Sequence, residues 1–248
     1  MPLKAVIFDL GGTLVEYAGP YKTWPDLETP GFTAAYQHLQ KHGLHLPDLH
    51  TFMHTGFGII PQKWQAATKG EANLRLVDLL VDTLHACQVP NGDMRLLAEA
   101  AALYEQAICA QAEPIANGQA VLAALKQAGL KLGLLSNTMF SGGAHEADLR
   151  RFGLRPYFDA LLFSADAGVW KPQPEPFLQV AEALGVEPET AVYVGDDPGA
   201  DVVGAVGAGM RAVHFQSSQR FAEAAVPPTA VIHTLPELLP LVQKWQAS

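Results

Sequence analysis

The sequence predicts a doubly wound parallel α/β fold that is interrupted, after its first strand, by an all-helical insert. Three observations carry this prediction. Short apolar runs rich in β-branched residues recur without polar alternation, as in strands covered on both faces. Helical patterns of about ten to fifteen residues separate them, the rhythm of βαβ units. Between about Val15 and Glu113 that rhythm stops, and several helical patterns follow one another with no convincing strand.

The first run is Ala5-Val6-Ile7-Phe8, stopped by Asp9 and the pair Gly11-Gly12. Within the insert, residues 32–41, 74–87 and 94–110 read as helices. The last of these places apolar residues at 97, 100, 101, 104, 107 and 108, the recurrence of one buried face. Turn-rich joints at Gly19-Pro20, Thr29-Pro30-Gly31 and Pro90-Asn91-Gly92 punctuate it. Beyond the insert, residues 117–128 form a helical pattern stopped by Gly129, and residues 130–135 and 160–163 are strand runs. A helix over 176–184, closed by Gly185, then precedes strand runs at 191–194 and 211–215. Strands alternating with helices imply parallel pairing. The chain thus divides into a core of residues 1–15 and 114–248 and an insert of residues 16–113.

Composition narrows the function. With 248 residues, 49% hydrophobic and 17% charged, the chain is far from the profile of disordered proteins. Sixteen basic against 25 acidic side chains, a formal charge of −9, argue against a general binder of nucleic acid or anionic membranes. Cys87 and Cys109 are too few for a disulfide framework and read as apolar fillers in a reducing compartment. The first apolar run is too short for a signal peptide, and no stretch approaches the roughly 20 apolar residues of a membrane span. A cytoplasmic location is expected.

Polar residues cluster immediately after the predicted strands: Asp9 after the first, Ser136-Asn137-Thr138 after the second, and Asp196-Asp197 after the run at 191–194. Lys171 lies in the loop after Phe163. Open parallel sheets bind ligands beyond the carboxyl ends of their strands. A single carboxylate there caps the next helix; several carboxylates with a hydroxyl and a lysine point to a site. Four segments occur in order: Asp9-Leu10-Gly11-Gly12-Thr13-Leu14, Leu134-Leu135-Ser136-Asn137, Gly168-Val169-Trp170-Lys171-Pro172-Gln173-Pro174 and Val194-Gly195-Asp196-Asp197-Pro198-Gly199-Ala200-Asp201. Together they resemble the four motifs of the haloacid dehalogenase superfamily, over essentially the whole chain.

That resemblance implies a Rossmann-like core with a helical cap inserted after the first motif. It implies a hydrolase, cleaving a small phosphorylated compound, with Asp9 as the nucleophile that forms an aspartyl-phosphate. It also implies Mg²⁺, a hard cation for oxygen ligands, bound by Asp9, the main-chain carbonyl of Gly11 and Asp196. Asp197 and Asp201 would be secondary carboxylates, ligating the metal or holding Lys171, although either is equally placed to cap a helix. Ser136, the Asn137 amide, Gly12 and Lys171 would surround the phosphoryl group, with Ser136 and Lys171 taking part in catalysis.

One position departs from the pattern. Phosphatases of the family carry an aspartate two residues after the nucleophile, which protonates the leaving oxygen and later activates water; here that residue is Gly11. General acid–base catalysis contributes roughly 10²–10⁴-fold. The phosphatase implied is therefore restricted to good leaving groups or takes its acid from the cap or the substrate. Three alternatives stand beside it. Phosphonoacetaldehyde hydrolase also lacks this aspartate but needs a cap lysine, for which Lys22, Lys41, Lys63 and Lys69 are available. 2-Haloacid dehalogenases lack it too, but work without metal and without the acidic fourth motif retained here. A weakly active or non-catalytic phosphate-binding relative is the third. His38, His42, His45, His50 and His54 crowd one segment of the insert, and one of them is a candidate for the missing acid. Tyr17, Tyr21, Lys22, Trp24, Phe57 and Trp64 are the insert residues expected near a substrate.

Overall fold

Strand β1 (Ala5–Phe8) shows why its run lacks polar alternation: Val6 and Phe8 enter one apolar layer, Ala5 and Ile7 the other, and all four are fully buried. The structure is a computed structural model, which describes residues 1–17, 23–90, 93–216 and 225–247. After β1 the chain makes a two-residue strand, β2 (Val15–Glu16), then helices α1 (Thr29–Lys41), α2 (Leu49–Thr68), α3 (Leu76–Ala86) and α4 (Met94–Cys109). It returns through β3 (Glu113–Pro114), which pairs antiparallel with β2, so Glu16 lies opposite Glu113. The insert therefore leaves and rejoins the sheet side through one short ribbon.

Helix α5 (Gly118–Gln127), strand β4 (Lys131–Ser136), helix α6 (Gly142–Arg151), strand β5 (Ala160–Phe163) and the single turn α7 (Ser164–Ala167) follow. Then come α8 (Pro174–Leu184), β6 (Ala191–Gly195), α9 (Val203–Gly207), β7 (Arg211–Phe215), β8 (Ala230–Ile232) and α10 (Leu238–Gln246). Six strands form one parallel sheet in the order β5-β4-β1-β6-β7-β8. Val121 and Leu125 of α5, Leu149 of α6 and Leu238 and Val242 of α10 cover the face that receives Val6 and Phe8. Phe177, Val180 and Leu184 of α8 and Ala205 of α9 cover the face that receives Ala5 and Ile7. The doubly wound reading holds, with helices on both faces.

Helices α1 to α4 build a third apolar cluster of their own, around Phe32, Leu39, Phe52, Leu80, Leu97 and Tyr104. Met139, Phe140 and Trp170 join it from the sheet side. Among the described residues no helix is long and apolar enough to cross a membrane.

The sequence reading passed over α2, α6, α10, β8, the ribbon and the short helices α7 and α9. Helix α2 contains Gly56, Gly58 and Pro61, each unfavourable in a helix interior. It forms because Phe52, Phe57 and Ile60 bury one face against the cluster, while Gly56 lets the Phe32 ring lie against the helix backbone. Tertiary burial outweighs local preference here. The expected joints at Gly19-Pro20 and Asn91-Gly92 lie outside the described residues.

Candidate active site

The order of the strands brings three motifs together. Strands β4, β1 and β6 are neighbours, and Ser136, Asp9 and Asp196 stand at or just beyond their carboxyl ends. The chain runs from β1 outward to β4 and β5, then returns to the other side of β1 for β6 to β8, so the crevice is a topological switch point. The loop after Asp9 turns sharply: Gly12 has φ 80°, and its N–H donates to Val15 O at 2.8 Å. A Cβ on Gly12 would collide with the Asp196 carboxylate, so glycine here permits both the turn and the close approach.

Lys171 is the hub. Its Nζ donates to Asp9 Oδ1 at 2.7 Å, Asp201 Oδ1 at 2.7 Å and the Tyr193 hydroxyl at 2.8 Å, which engages all three ammonium protons. Burial opposes its charge, but Asp201 and Asp9 overcome that cost and hold its pKa above the ordinary value. Burial pushes Asp9 up to about 6, against the pull of Lys171. Tyr193, from β6, donates its hydroxyl in turn to Leu135 O at 2.8 Å and so anchors the lysine to β4. Asn137 fixes the lysine's backbone: its Nδ2 donates to Lys171 O and its Oδ1 accepts the Lys171 N–H, both at 2.9 Å. The Asn137 side chain is thus occupied, whereas Ser136 lines the crevice with a hydroxyl that has no partner among the described residues.

Asp9, Asp196 and Asp201 each offer a carboxylate oxygen within 4.8 Å of the others, and all three are buried. Clustered hard oxygens with too little positive charge to balance them suit a small divalent cation such as Mg²⁺. Asp201 is shared: Oδ1 takes the lysine and Oδ2 the Asp197 N–H at 2.9 Å. Asp197 lies outside this trio. Its Oδ1 accepts Gly199 N–H at 2.8 Å and Ala200 N–H at 3.1 Å, capping the turn over Pro198–Val202.

A cavity of about 790 Å³ opens above these residues, and Gly11, Gly12, Ser136, Asn137 and Asp197 also line it. Tyr17, Trp24 and Trp64 contribute walls as expected, but Phe57 does not, being packed inside the insert's cluster. Tyr21 and Lys22 lie outside the described residues. None of the five insert histidines lines the cavity: the His38 ring lies tilted against that of His42 and 3.3 Å from Glu99, while the His50 ring lies tilted against that of His54. Lys41, Lys63 and Lys69 are also absent from its walls, and Lys63 pairs with Asp82.

Among the ionisable residues that line the cavity, the sequence reading missed Glu16, His145 and Glu28. His145, from α6, is buried; Nε2 meets Thr138 Oγ1 at 2.7 Å and Nδ1 meets the Tyr17 hydroxyl at 3.0 Å. Tyr17 in turn donates to Asp148 at 3.3 Å, and burial lowers the His145 pKa to about 4. Glu28, at the start of α1, is 9% exposed and accepts the Tyr104 hydroxyl on Oε2 at 3.0 Å. Burial raises its pKa to about 7. No motif marks these residues; only the fold brings them to the cavity.

The chain resembles known proteins in sequence and in fold. The chain is 33% identical over 147 residues to the glyceraldehyde 3-phosphate phosphatase of Methanopyrus kandleri, covering 59% of this chain and 60% of that one. It is 36% identical over 127 residues to the phosphoserine phosphatase of Thermus thermophilus, covering 49% and 48%. The matched stretch thus spans less than two thirds of either relative. A crystal structure of 2-haloacid dehalogenase from Pseudomonas syringae pv. Tomato DC3000 superposes with a TM-score of 0.72 at 26% identity, over 98% of this chain and 99% of that one. Residues 3–209 match the haloacid dehalogenase-like hydrolases, and with the four motifs converging on one crevice the chain belongs to that family.

Proposed function

We propose that this chain is a Mg²⁺-dependent phosphatase acting on a small phosphorylated compound through an aspartyl-phosphate at Asp9. The observation that carries the reading is the buried trio Asp9, Asp196 and Asp201, with Lys171 on one oxygen of Asp9. Such a cluster repels a bare phosphate, and Mg²⁺ supplies the charge that reverses this. The Gly11 carbonyl joins Asp9 and Asp196 as its ligands, while Asp201 serves chiefly to hold Lys171. Asp9 attacks phosphorus as the bond to the leaving oxygen breaks. Ser136, the main-chain N–H of Asn137 and the positive charge of Lys171 stabilise the phosphoryl oxygens, while the Gly12 N–H stays bonded to Val15 O within the loop. Water then releases phosphate from Asp9. Residues 1–15 and 114–248 form the catalytic core in this scheme and residues 16–113 the cap, a division supported by the ribbon of β2 and β3 and by the insert's separate apolar cluster.

The carbon–phosphorus alternative loses support, because no described insert lysine reaches the cavity. The dehalogenase reading is favoured by the likeness to the Pseudomonas syringae structure, and metal dependence separates the two. Wild-type protein is expected to release phosphate from p-nitrophenyl phosphate only with Mg²⁺, and Asp9→Asn to reduce that release at least 10³-fold. Mg²⁺ should raise Tm for the wild type and not for Asp196→Asn. Chloride release from 2-chloropropionate in EDTA, with no phosphate release, would establish the dehalogenase instead.

A further inference from the structure

We propose that Glu28 is the general acid and base that position 11 lacks, donating a proton to the leaving oxygen and taking one back from the attacking water. The inference rests on the phosphatase reading above. It begins from the other ionisable groups in the cavity, each of which is already engaged. Lys171 spends its three protons on Asp9, Asp201 and Tyr193. His145 is held at both nitrogens, and the Tyr17 hydroxyl donates its hydrogen bond to Asp148. Glu16 turns back on its own chain and accepts the Tyr17 N–H at 3.1 Å.

Glu28 differs from all of these. It lines the same cavity as Asp9, but from the insert. Tyr104 holds Oε2, and Oε1 has no hydrogen-bond partner among the described residues. Phe32 and Phe140 pack around the Tyr104 ring, which fixes the phenol and with it the carboxyl. Among the described residues no cation pairs with the group. Tyr104, from α4, is the titratable side chain in contact with it; Glu16, Tyr17, His145 and the Asp9–Lys171 cluster share the cavity, and Asp26 on its own turn is bonded to Thr23. A carboxyl in such surroundings keeps its proton near neutral pH, as a general acid must.

The proton balance closes. In the first step the Asp9 oxygen–phosphorus bond forms, the bond from phosphorus to the leaving oxygen breaks, and the Glu28 proton passes to that oxygen. In the second step water attacks phosphorus and frees the Asp9 carboxylate, while the water's proton returns to Glu28.

The test compares p-nitrophenyl phosphate, whose leaving group needs no acid, with simple alkyl phosphates, in the presence of Mg²⁺. Glu28→Gln keeps the side chain's size and an acceptor for Tyr104 but has no proton to give. It is expected to lower kcat/KM for the alkyl esters at least tenfold more than for the aryl ester, and to remove the alkaline limb near pH 7 from the alkyl profile. Adding Gly11→Asp to Glu28→Gln should restore alkyl turnover. Equal losses on both ester classes, no loss on either, or no alkyl turnover in the wild type would overturn the assignment. Absence of Asp9-dependent hydrolysis of p-nitrophenyl phosphate would overturn the phosphatase reading itself, and the role of Glu28 with it.

Discussion

At Gly12 a φ of 80° and the adjoining Asp196 carboxylate leave no space for a side chain, while at Gly11 an added Cβ would meet only Tyr17 Cδ2, at 3.9 Å. Neighbouring glycines are therefore under opposite constraints. Gly12→Ala is expected to cost about 2 kcal/mol or more, through its backbone conformation and the collision, and to abolish phosphate release by displacing Asp196. Gly11→Ala should hold or raise stability by up to about 1 kcal/mol, because the residue needs no left-handed backbone. Urea denaturation of the two variants side by side checks both values. The residues that the motifs name were legible at this scale because they follow strand ends at fixed spacing. Tyr193, His145 and Glu28 were not. In the sequence Tyr193 is one more large residue in an apolar strand, and Glu28 is an ordinary acid before a helix. Their roles come from partners that are distant in the chain: Lys171 lies 22 residues from Tyr193, and Tyr104 lies 76 from Glu28.

Helix α2 is the element on which sequence and fold disagree most, and its glycines separate the two causes. Gly56 sits against the Phe32 ring, so Gly56→Ala must move a fully buried aromatic and is expected to destabilise by about 1–3 kcal/mol. Gly58 faces open space on the same helix, and Gly58→Ala should stabilise by roughly 0.5–1 kcal/mol through helix propensity alone. Thermal melts should move in opposite directions; shifts of the same sign would mean that packing against Phe32 is not what keeps α2 helical. The strands were easier to read. Those of the sheet's interior are covered on both faces and so carry continuous apolar runs, whereas β8 is a short edge strand in which Val231 is exposed, and its pattern is correspondingly weak. Helices α6 and α10 also escaped notice. Helix α6 in particular buries polar His145 and Asp148 beside Leu149, which blurs the apolar stripe.

Across the whole molecule, two buried groups tilt stability with pH in opposite directions. Glu28 has its pKa raised from 4.5 to about 7, so its contribution is fully present below pH 4.5 and is lost as pH rises through 7. His145 has its pKa lowered from 6.5 to about 4, so its contribution is present above pH 6.5 and is lost as pH falls through 4. Each is worth on the order of 3 kcal/mol. Relative to the wild type, Glu28→Gln should gain stability as pH rises from 4.5 to 7, and His145→Asn should gain it as pH falls from 6.5 to 4. Denaturation curves across that range, read as differences from the wild type, isolate each group. One more feature acts at this scale. Trp170 is 1% exposed in the insert's apolar cluster, its Nε1 bonded to Asn73 at 2.9 Å and its ring 5.1 Å from that of Trp64, yet the next residue is Lys171. A single peptide bond therefore joins a side chain packed among the insert's helices to the lysine at the centre of the carboxylate cluster. The apolar packing of the helical layer and the contact between Lys171 and Asp9 thus meet at two adjoining positions, so a substitution that loosens Trp170 is expected to disturb the hold of Lys171 on Asp9.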